Sequence, residues 1–348
     1  MHIALVVPPF ISVPPQAYGG TELFVAHLAR GLHSRGHRVT VYANGESKVC
    51  GELKWRYRRS EWPITDLSAA QLKNMDHTAW AIRDAARSVD LIHLNDLVGL
   101  PFTTFVDAPV ALTLHHPHDP ALSQQYLRYP QTQYIAISRY QARREPMPNT
   151  TVVYHGLRLS DYTFRAKKQD YLVFLGRMAP CKGAHVAIEV ARHAGLRLKL
   201  AGEIQPIFAE YWEREVAPHL DGDQVQYVGE ADAARKNELL SNARALLFPI
   251  QWDEPFGLVM VEAMACGTPV LAFSGGSVSE IVRDGVSGWV CRDIDDMAGR
   301  ARVPAVAPES CRAWVAGRFS FERMTDRHLK LYERMIERHH LESLRSVS

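Results

Sequence analysis

The sequence has few cysteines: five in 348 residues, at positions 50, 181, 266, 291 and 311. The count is odd, the spacing is wide and no C-x-x-C occurs. That argues against a disulfide framework or a structural zinc site and fits a reducing, cytoplasmic setting. No apolar run approaches the roughly 18 residues that a membrane-spanning helix needs. The opening stretch MHIALVVPPF lacks a basic lead-in and reads as a first β-strand, not as a signal peptide. There is also no excess of one charge. Lys and Arg total 40 against 38 Asp and Glu, a formal net charge of +2, which speaks against nucleic acid as the main partner. Two phosphate-binding signatures are missing as well, the G-x-G-x-x-G of dinucleotide binders and G-x-x-x-x-G-K-[ST].

What remains is an ordinary globular composition, 47% hydrophobic and 22% charged, in a chain long enough for two domains. Short apolar runs alternate with helical patterns. In the first half the predicted strands are 2–7, 38–43, 90–95, 109–116, 133–138 and 151–157, with helices after the Gly19–Gly20 pair and around 68–87. The polar, basic stretch 158–168 (RLSDYTFRAKK) reads as a linker. The pattern then restarts, with strands at 170–176, 197–203, 225–230, 243–249 and 268–273. Helices are expected from 183, around 207–219, at 233–243, from 256 and from 276. This alternation predicts an α/β protein made of two successive doubly wound, Rossmann-like halves, residues 1–160 and 169–320, whose facing cleft is the default ligand site. The Arg- and Glu-rich helix over 321–342 either packs one apolar face locally or crosses back onto the first half.

The stretch EPFGLVMVEAMACGTPV (254–270) carries two glutamates, Glu254 and Glu262, in apolar surroundings. A buried, unpaired carboxylate is costly, so these carboxylates either face water or meet hydrogen-bond donors. Pro255 suits the first position of a helix, Gly257 permits close backbone approach, and free amides at a helix start attract phosphate. Eight helical residues advance about 12 Å, which would put Glu254 at the helix mouth and Glu262 two turns in. A sugar, a diphosphate and a ribose could span that distance. A capped amphipathic helix with two surface glutamates is the plainer alternative.

Three further constellations stand at predicted strand ends. In FLGRMAPCKG (174–183), Arg177 and Lys182 form a cation pair suited to a diphosphate, or else a solvated basic loop. In PPQAYGGTE (14–22), the Gly19–Gly20 turn exposes amides to an anion. In LTLHHPHD (112–119), His115, His116 and His118 crowd together without a companion Cys or Glu at metal-ligand spacing, so no metal site is expected. Ser138 reads as a helix N-cap before Arg139.

The E-x7-E pattern of Glu254 and Glu262, followed by EAMACGTPVLAFSGGSVSEIVRDGVSGWV, strongly resembles glycosyltransferase family 4, the retaining group 1 enzymes of GT-B fold. The resemblance covers nearly the whole chain and is densest over 170–290. It implies that Glu254 lies near the donor sugar and that Glu262 accepts hydrogen bonds from the nucleotide ribose. Phe256, Gly257, Leu258 and Val259 would line sugar and phosphate through their amides. Arg177 and Lys182 would clamp the diphosphate, with Cys181 standing where an acidic residue is common, and Gly19 and Gly20 would close over the phosphate. The turn at Val228, Gly229 and Glu230 would meet the base through backbone atoms. A histidine at the 112–116 strand end would position the sugar; the T-x-H spacing favours His115 over His116. His155 stands where the family usually has Asn.

The activity so implied is transfer of a sugar, with retention, from a nucleotide diphosphate-sugar to an acceptor hydroxyl. No metal or other cofactor is called for, and no clear D-x-D pair stands at a strand end. A UDP-sugar is the expected donor; the acceptor, a glycan, a lipid or a secondary metabolite, is not specified by these motifs. The alternatives are a same-fold sugar-nucleotide epimerase and a non-catalytic nucleotide-sugar-binding protein. The aromatic and basic stretch 52–62 (ELKWRYRRSEW) reads as a solvated loop or as a weak peripheral contact with an anionic membrane.

Overall fold

The structure is a computed structural model; it describes residues 1–16, 19–303 and 306–347, with side chains described as far as residue 345. The chain forms two compact units. One is Met1–Gly156 together with Phe321–Ser348, the other Leu157–Ser320.

The first unit is built on seven strands: β1 (His2–Val6), β2 (Arg38–Ala43), β3 (Glu52–Trp55), β4 (Leu91–Leu94), β5 (Val110–Leu114), β6 (Gln133–Ala136) and β7 (Thr150–Val152). They pair in parallel in the order β3-β2-β1-β4-β5-β6-β7. Central strands are apolar on both sides because helices cover both faces. Ile3 and Leu5 of β1 point to one face, where helix Gly20–Ser34 and helix Phe321–Val347 supply Phe24, Leu28, Leu32, Met324, Leu331 and Tyr332. Ala4 and Val6 point to the other, against Ala81 and Ile82 of helix Leu67–Ala85. This is the period-two alternation of a strand.

Helix Phe321–Val347 thus packs on the first unit, with Arg35 bonded to Asp326 at 2.7 Å and the Tyr332 hydroxyl 2.6 Å from His93 Nδ1. The helices meet at Gly31, where a Cβ would lie 2.1 Å from Thr325 Oγ1. A glycine in mid-helix is costly by propensity; here it is what allows the close approach.

The second unit has six parallel strands: β8 (Tyr171–Leu175), β9 (Arg197–Ala201), β10 (Val225–Tyr227), β11 (Ala245–Phe248), β12 (Val270–Phe273) and β13 (Gly288–Cys291), ordered β10-β9-β8-β11-β12-β13. In both sheets the winding reverses beside the first strand, between β1 and β4 and between β8 and β11. The loops leaving those strands are the natural ligand-holding positions of such a sheet.

Several expectations are corrected. The first compact unit runs to Gly156, and the stretch read as a linker lies in the second unit. Lys168 shows why: its ammonium donates to Ser241 O (2.9 Å), Cys266 O (3.0 Å) and Thr268 Oγ1 (2.8 Å), so a basic residue that looked solvated gathers helix-end carbonyls. The stretch 52–62 begins as edge strand β3, paired to β2, not as a loop. The helix expected from 256 starts at Leu258 and ends at Ala265. Pro255 therefore precedes it, and Glu262 lies a little over one turn in. The helix expected around 207–219 is a run of short helical pieces, one of them the π-helical Trp212–Val216. The final helix runs on from 342 to Val347.

The first unit also buries histidines. Burial pushes His77 and His328 down to about 4 and His115 to about 3, and holds His93 and His155 well below the usual 6.5. The folded unit keeps them neutral where the unfolded chain takes up protons. The contribution of His77 and His328 to stability is therefore full above pH 6.5 and is lost as pH falls from there towards about 4. Melting temperatures across that window should drop steeply, and His328→Leu should flatten the slope. Separately, Gly31→Ala should lower stability by about 1–2 kcal/mol, the overpacking outweighing the helical gain. Thr325→Ala in the same chain should restore part of that loss in a thermal melt.

Candidate functional site

In the second unit the loops after β8 and β11 are pressed together. The first carries Arg177 and the short turn Pro180–Lys182, closed by Gly183 at φ 75°. A Cβ on Gly183 would lie 2.1 Å from Pro249 O, so only glycine lets the Lys182 turn reach the neighbouring loop. Lys182 Nζ donates to Glu254 Oε2 at 2.6 Å and stands 4.5 Å from the centre of the Trp252 ring. Trp252 Nε1 donates to the same oxygen at 2.9 Å. The backbone of Glu254 is fixed from the far side, where Ser277 N donates to Glu254 O at 2.8 Å. Gly276 packs so tightly there that a Cβ would lie 2.1 Å from that oxygen. Glu254 is 6% exposed.

Gly257, at φ 78°, turns the chain into helix Leu258–Ala265, and Phe256 is buried edge-on against Phe319 with ring centres 5.9 Å apart. The amides at this helix start, Leu258 and Val259 among them, are the free donors that a helix N-terminus offers. Glu262 is 3% exposed. Its Oε1 accepts from the Tyr162 hydroxyl at 3.0 Å and from Lys236 Nζ. The capped surface helix is thereby set aside: both carboxylates are buried and met by donors.

Other expected residues are placed differently. Arg177 Nη1 lies 3.5 Å from Gln205 Oε1, towards the β9 side, while Lys182 turns to Glu254. The two cations are thus engaged by different partners. At the β10 end, Val228 N donates to Leu200 O (2.9 Å) and Gly229 O accepts from Gly202 N (3.1 Å), so those backbone groups are committed to the sheet edge.

In the first unit, Gly19 (φ 144°) precedes helix Gly20–Ser34, and a Cβ there would sit 2.8 Å from Glu22 Oε2. Ala17 and Tyr18 of the same segment lie outside the described residues. Burial raises the Glu22 carboxyl to about 7. At the end of β5, His116 has both ring nitrogens engaged, at 2.6 Å from Pro117 O and 2.6 Å from the Tyr126 hydroxyl. His115 contacts Asn95 Oδ1 through Nε2 at 3.1 Å and stacks on His155 with ring centres 5.4 Å apart. Its burial keeps it neutral, at about 3. Ser138 Oγ accepts from Gln141 N at 3.1 Å, a true N-cap. Among the described residues, no group of three or more His, Cys, Asp or Glu is placed to hold a metal ion, and no helix is long and apolar enough to cross a membrane.

Sequence reasoning missed Trp252, Tyr162, Lys236 and Asn95. Trp252, two residues before Glu254, was the most accessible, since an indole N–H in a loop beside a carboxylate is a ready donor. Tyr162 was hidden in the supposed linker, and Lys236 is one of several charges on its helix.

Comparison with known proteins places the chain in a family. The family model "Glycosyl transferases group 1" matches residues 160–303, and "Glycosyltransferase Family 4" matches residues 18–160. The glycogen synthase of Mycobacterium tuberculosis (strain CDC 1551 / Oshkosh) is 25% identical over 361 residues, covering 86% of each chain. Among solved structures, AviGT4, a glycosyltransferase involved in avilamycin A biosynthesis, is 26% identical with a TM-score of 0.72, covering 97% of this chain and 98% of that one. Anabaena HepE, solved with UDP and glucose, is 20% identical with a TM-score of 0.75, covering 96% and 99%, and shares the fold. The two models meet at residue 160 and together span residues 18–303. The chain belongs to the group 1, family 4 glycosyltransferases and has their GT-B fold of two Rossmann-like domains.

Proposed function

We propose that the chain moves a sugar from a nucleoside diphosphate-sugar to an acceptor hydroxyl with retention at the anomeric carbon, the second unit holding the donor. The observation that carries this is the pair of buried carboxylates on one loop-and-helix segment, Glu254 and Glu262, each bound by protein donors through a single oxygen. Hydroxyl-rich ligands are what such acceptors take: the sugar at Glu254, the ribose at Glu262. Between them the amides of helix Leu258–Ala265 offer a diphosphate its fixed dipoles. Lys182 serves Glu254 with one N–H and has two more donors for phosphate oxygens. Arg177 adds a second cation from the same loop.

In the reaction the bond from the anomeric carbon to the diphosphate oxygen breaks and one to the acceptor oxygen forms on the same face. The acceptor proton passes to the departing phosphate oxygen. Charge building on that oxygen is met by Lys182, Arg177 and the helix amides, which are preorganised and cost little rearrangement. This electrostatic route calls for no metal. The first unit is assigned to the acceptor; there a neutral His115 offers ring Nδ1 to a hydroxyl. The UDP and glucose held by the HepE structure support UDP as the first nucleotide to try.

Calorimetry with UDP, GDP, ADP and dTDP should find one that binds, and Glu262→Ala should weaken it about ten- to a hundredfold, the worth of hydrogen bonds to a charged acceptor. No binding to any of the four would overturn the donor assignment. Once an acceptor is found, NMR of the product should show the donor's anomeric configuration kept; an inverted centre would sink the retaining mechanism.

A further inference from the structure

The two carboxylates of the second unit are held by the same device. Glu254 takes a lysine and an aromatic N–H on Oε2, from Lys182 and Trp252. Glu262 takes a lysine and an aromatic O–H on Oε1, from Lys236 and Tyr162. No described residue donates to the other oxygen of either group, and neither open oxygen is among the sealed, unpartnered atoms of the described residues, so each stays in reach of solvent. A carboxylate has about four acceptor sites, two on each oxygen. At Glu262 the protein fills those of Oε1 and leaves the two on Oε2.

The donors at Glu262 are themselves fixed. Tyr162 is clamped through its neighbours and its own carbonyl. Asn237 donates to Asp161 O at 3.0 Å and accepts from Thr163 N at 2.9 Å, and Arg312 Nη1 donates to Tyr162 O at 3.0 Å. Asn237 follows Lys236 on helix Ala233–Asn242, so one helix turn sets both donors. Burial and the facing carboxylate push the Tyr162 phenol well above 10, which keeps it a donor. The terminal torsion of a glutamate is soft; two fixed donors on one oxygen remove that freedom, and the ammonium offsets the cost of burying the charge.

We propose that Tyr162 and Lys236 are positioning residues for ribose recognition, holding Glu262 by Oε1 so that Oε2 is reserved for the 2′- and 3′-hydroxyls of a ribonucleoside diphosphate. This rests on assigning Glu262 to the donor ribose, and the test separates the two ideas. The affinities of UDP and 2′,3′-dideoxy-UDP are measured by calorimetry for the wild type, Tyr162→Phe, Lys236→Gln and Glu262→Gln, with a thermal melt of each. If the wild type binds ADP or GDP instead, the matching dideoxy pair is used.

The wild type should prefer the ribonucleotide by about tenfold or more. Tyr162→Phe removes one oxygen atom; it should reduce that preference severalfold while leaving dideoxy affinity unchanged, a split that loosened folding would not produce. Lys236→Gln should move the ratio in the same direction. Tyr162→Phe keeping the wild-type ratio, or weakening both nucleotides equally, overturns the positioning role alone. A wild type blind to the two hydroxyls overturns the ribose assignment of Glu262 together with it.

Discussion

The second unit is organised around the cost of taking two negative charges out of water. Glu254 and Glu262 are almost wholly buried, and each must be compensated where it stands. That requirement explains features that otherwise look unrelated. Gly183 permits the turn that brings Lys182 to Glu254, Gly276 lets another loop close on the Glu254 backbone, and Tyr162 brings a supposed linker onto Glu262. Replacing one lysine would leave a buried carboxylate unpaired, which costs far more than the pair itself gains. The acceptor atoms are therefore held by the same contacts that keep this part of the fold closed.

The first unit solves a different problem. Its sheet needs an apolar cover on both faces, and one cover comes partly from a helix far along the chain. Close approach at Gly31 lets Phe321–Val347 reach the sheet, and its His328 and Tyr332 meet His93 in a packed aromatic group around Phe24. The histidines there serve as aromatic filling whose polar atoms need local partners, and their neutrality follows from packing. His115 lies at the edge of this group, its ring edge-on to Phe24 with centres 5.1 Å apart, which fixes its orientation.

Much of this was legible in the sequence, and the misses share a cause. Strands such as Ile3–Val6 and Ala245–Phe248 announce themselves because a parallel sheet covered on both sides demands uninterrupted apolar runs. The E-x7-E pair was visible because two carboxylates among apolar residues are rare. What stayed hidden was whatever depends on partners distant in sequence. Lys168 and Tyr162 sit in a polar, basic stretch without periodicity, and only the carbonyls and the carboxylate they meet reveal them as interior groups. Glu52–Trp55 was missed because an edge strand need not be apolar. The late start of helix Leu258–Ala265 comes from Gly257, whose left-handed turn delays the helix beyond the point where Pro255 would allow it.

The order of the elements along the chain carries a consequence for synthesis. A ribosome releases Leu157–Ser320 before it releases Phe321–Val347, the helix that completes the first unit's core. The second unit can therefore close its own core first, while Phe24, Leu28 and Leu32 still lack part of their cover. Although domains generally fold in order of synthesis, residues 1–156 must wait for the last helix before their core is complete. Until that helix emerges, Phe24, Leu28 and Leu32 stay partly uncovered, and the first unit is the one a chaperone would need to shield.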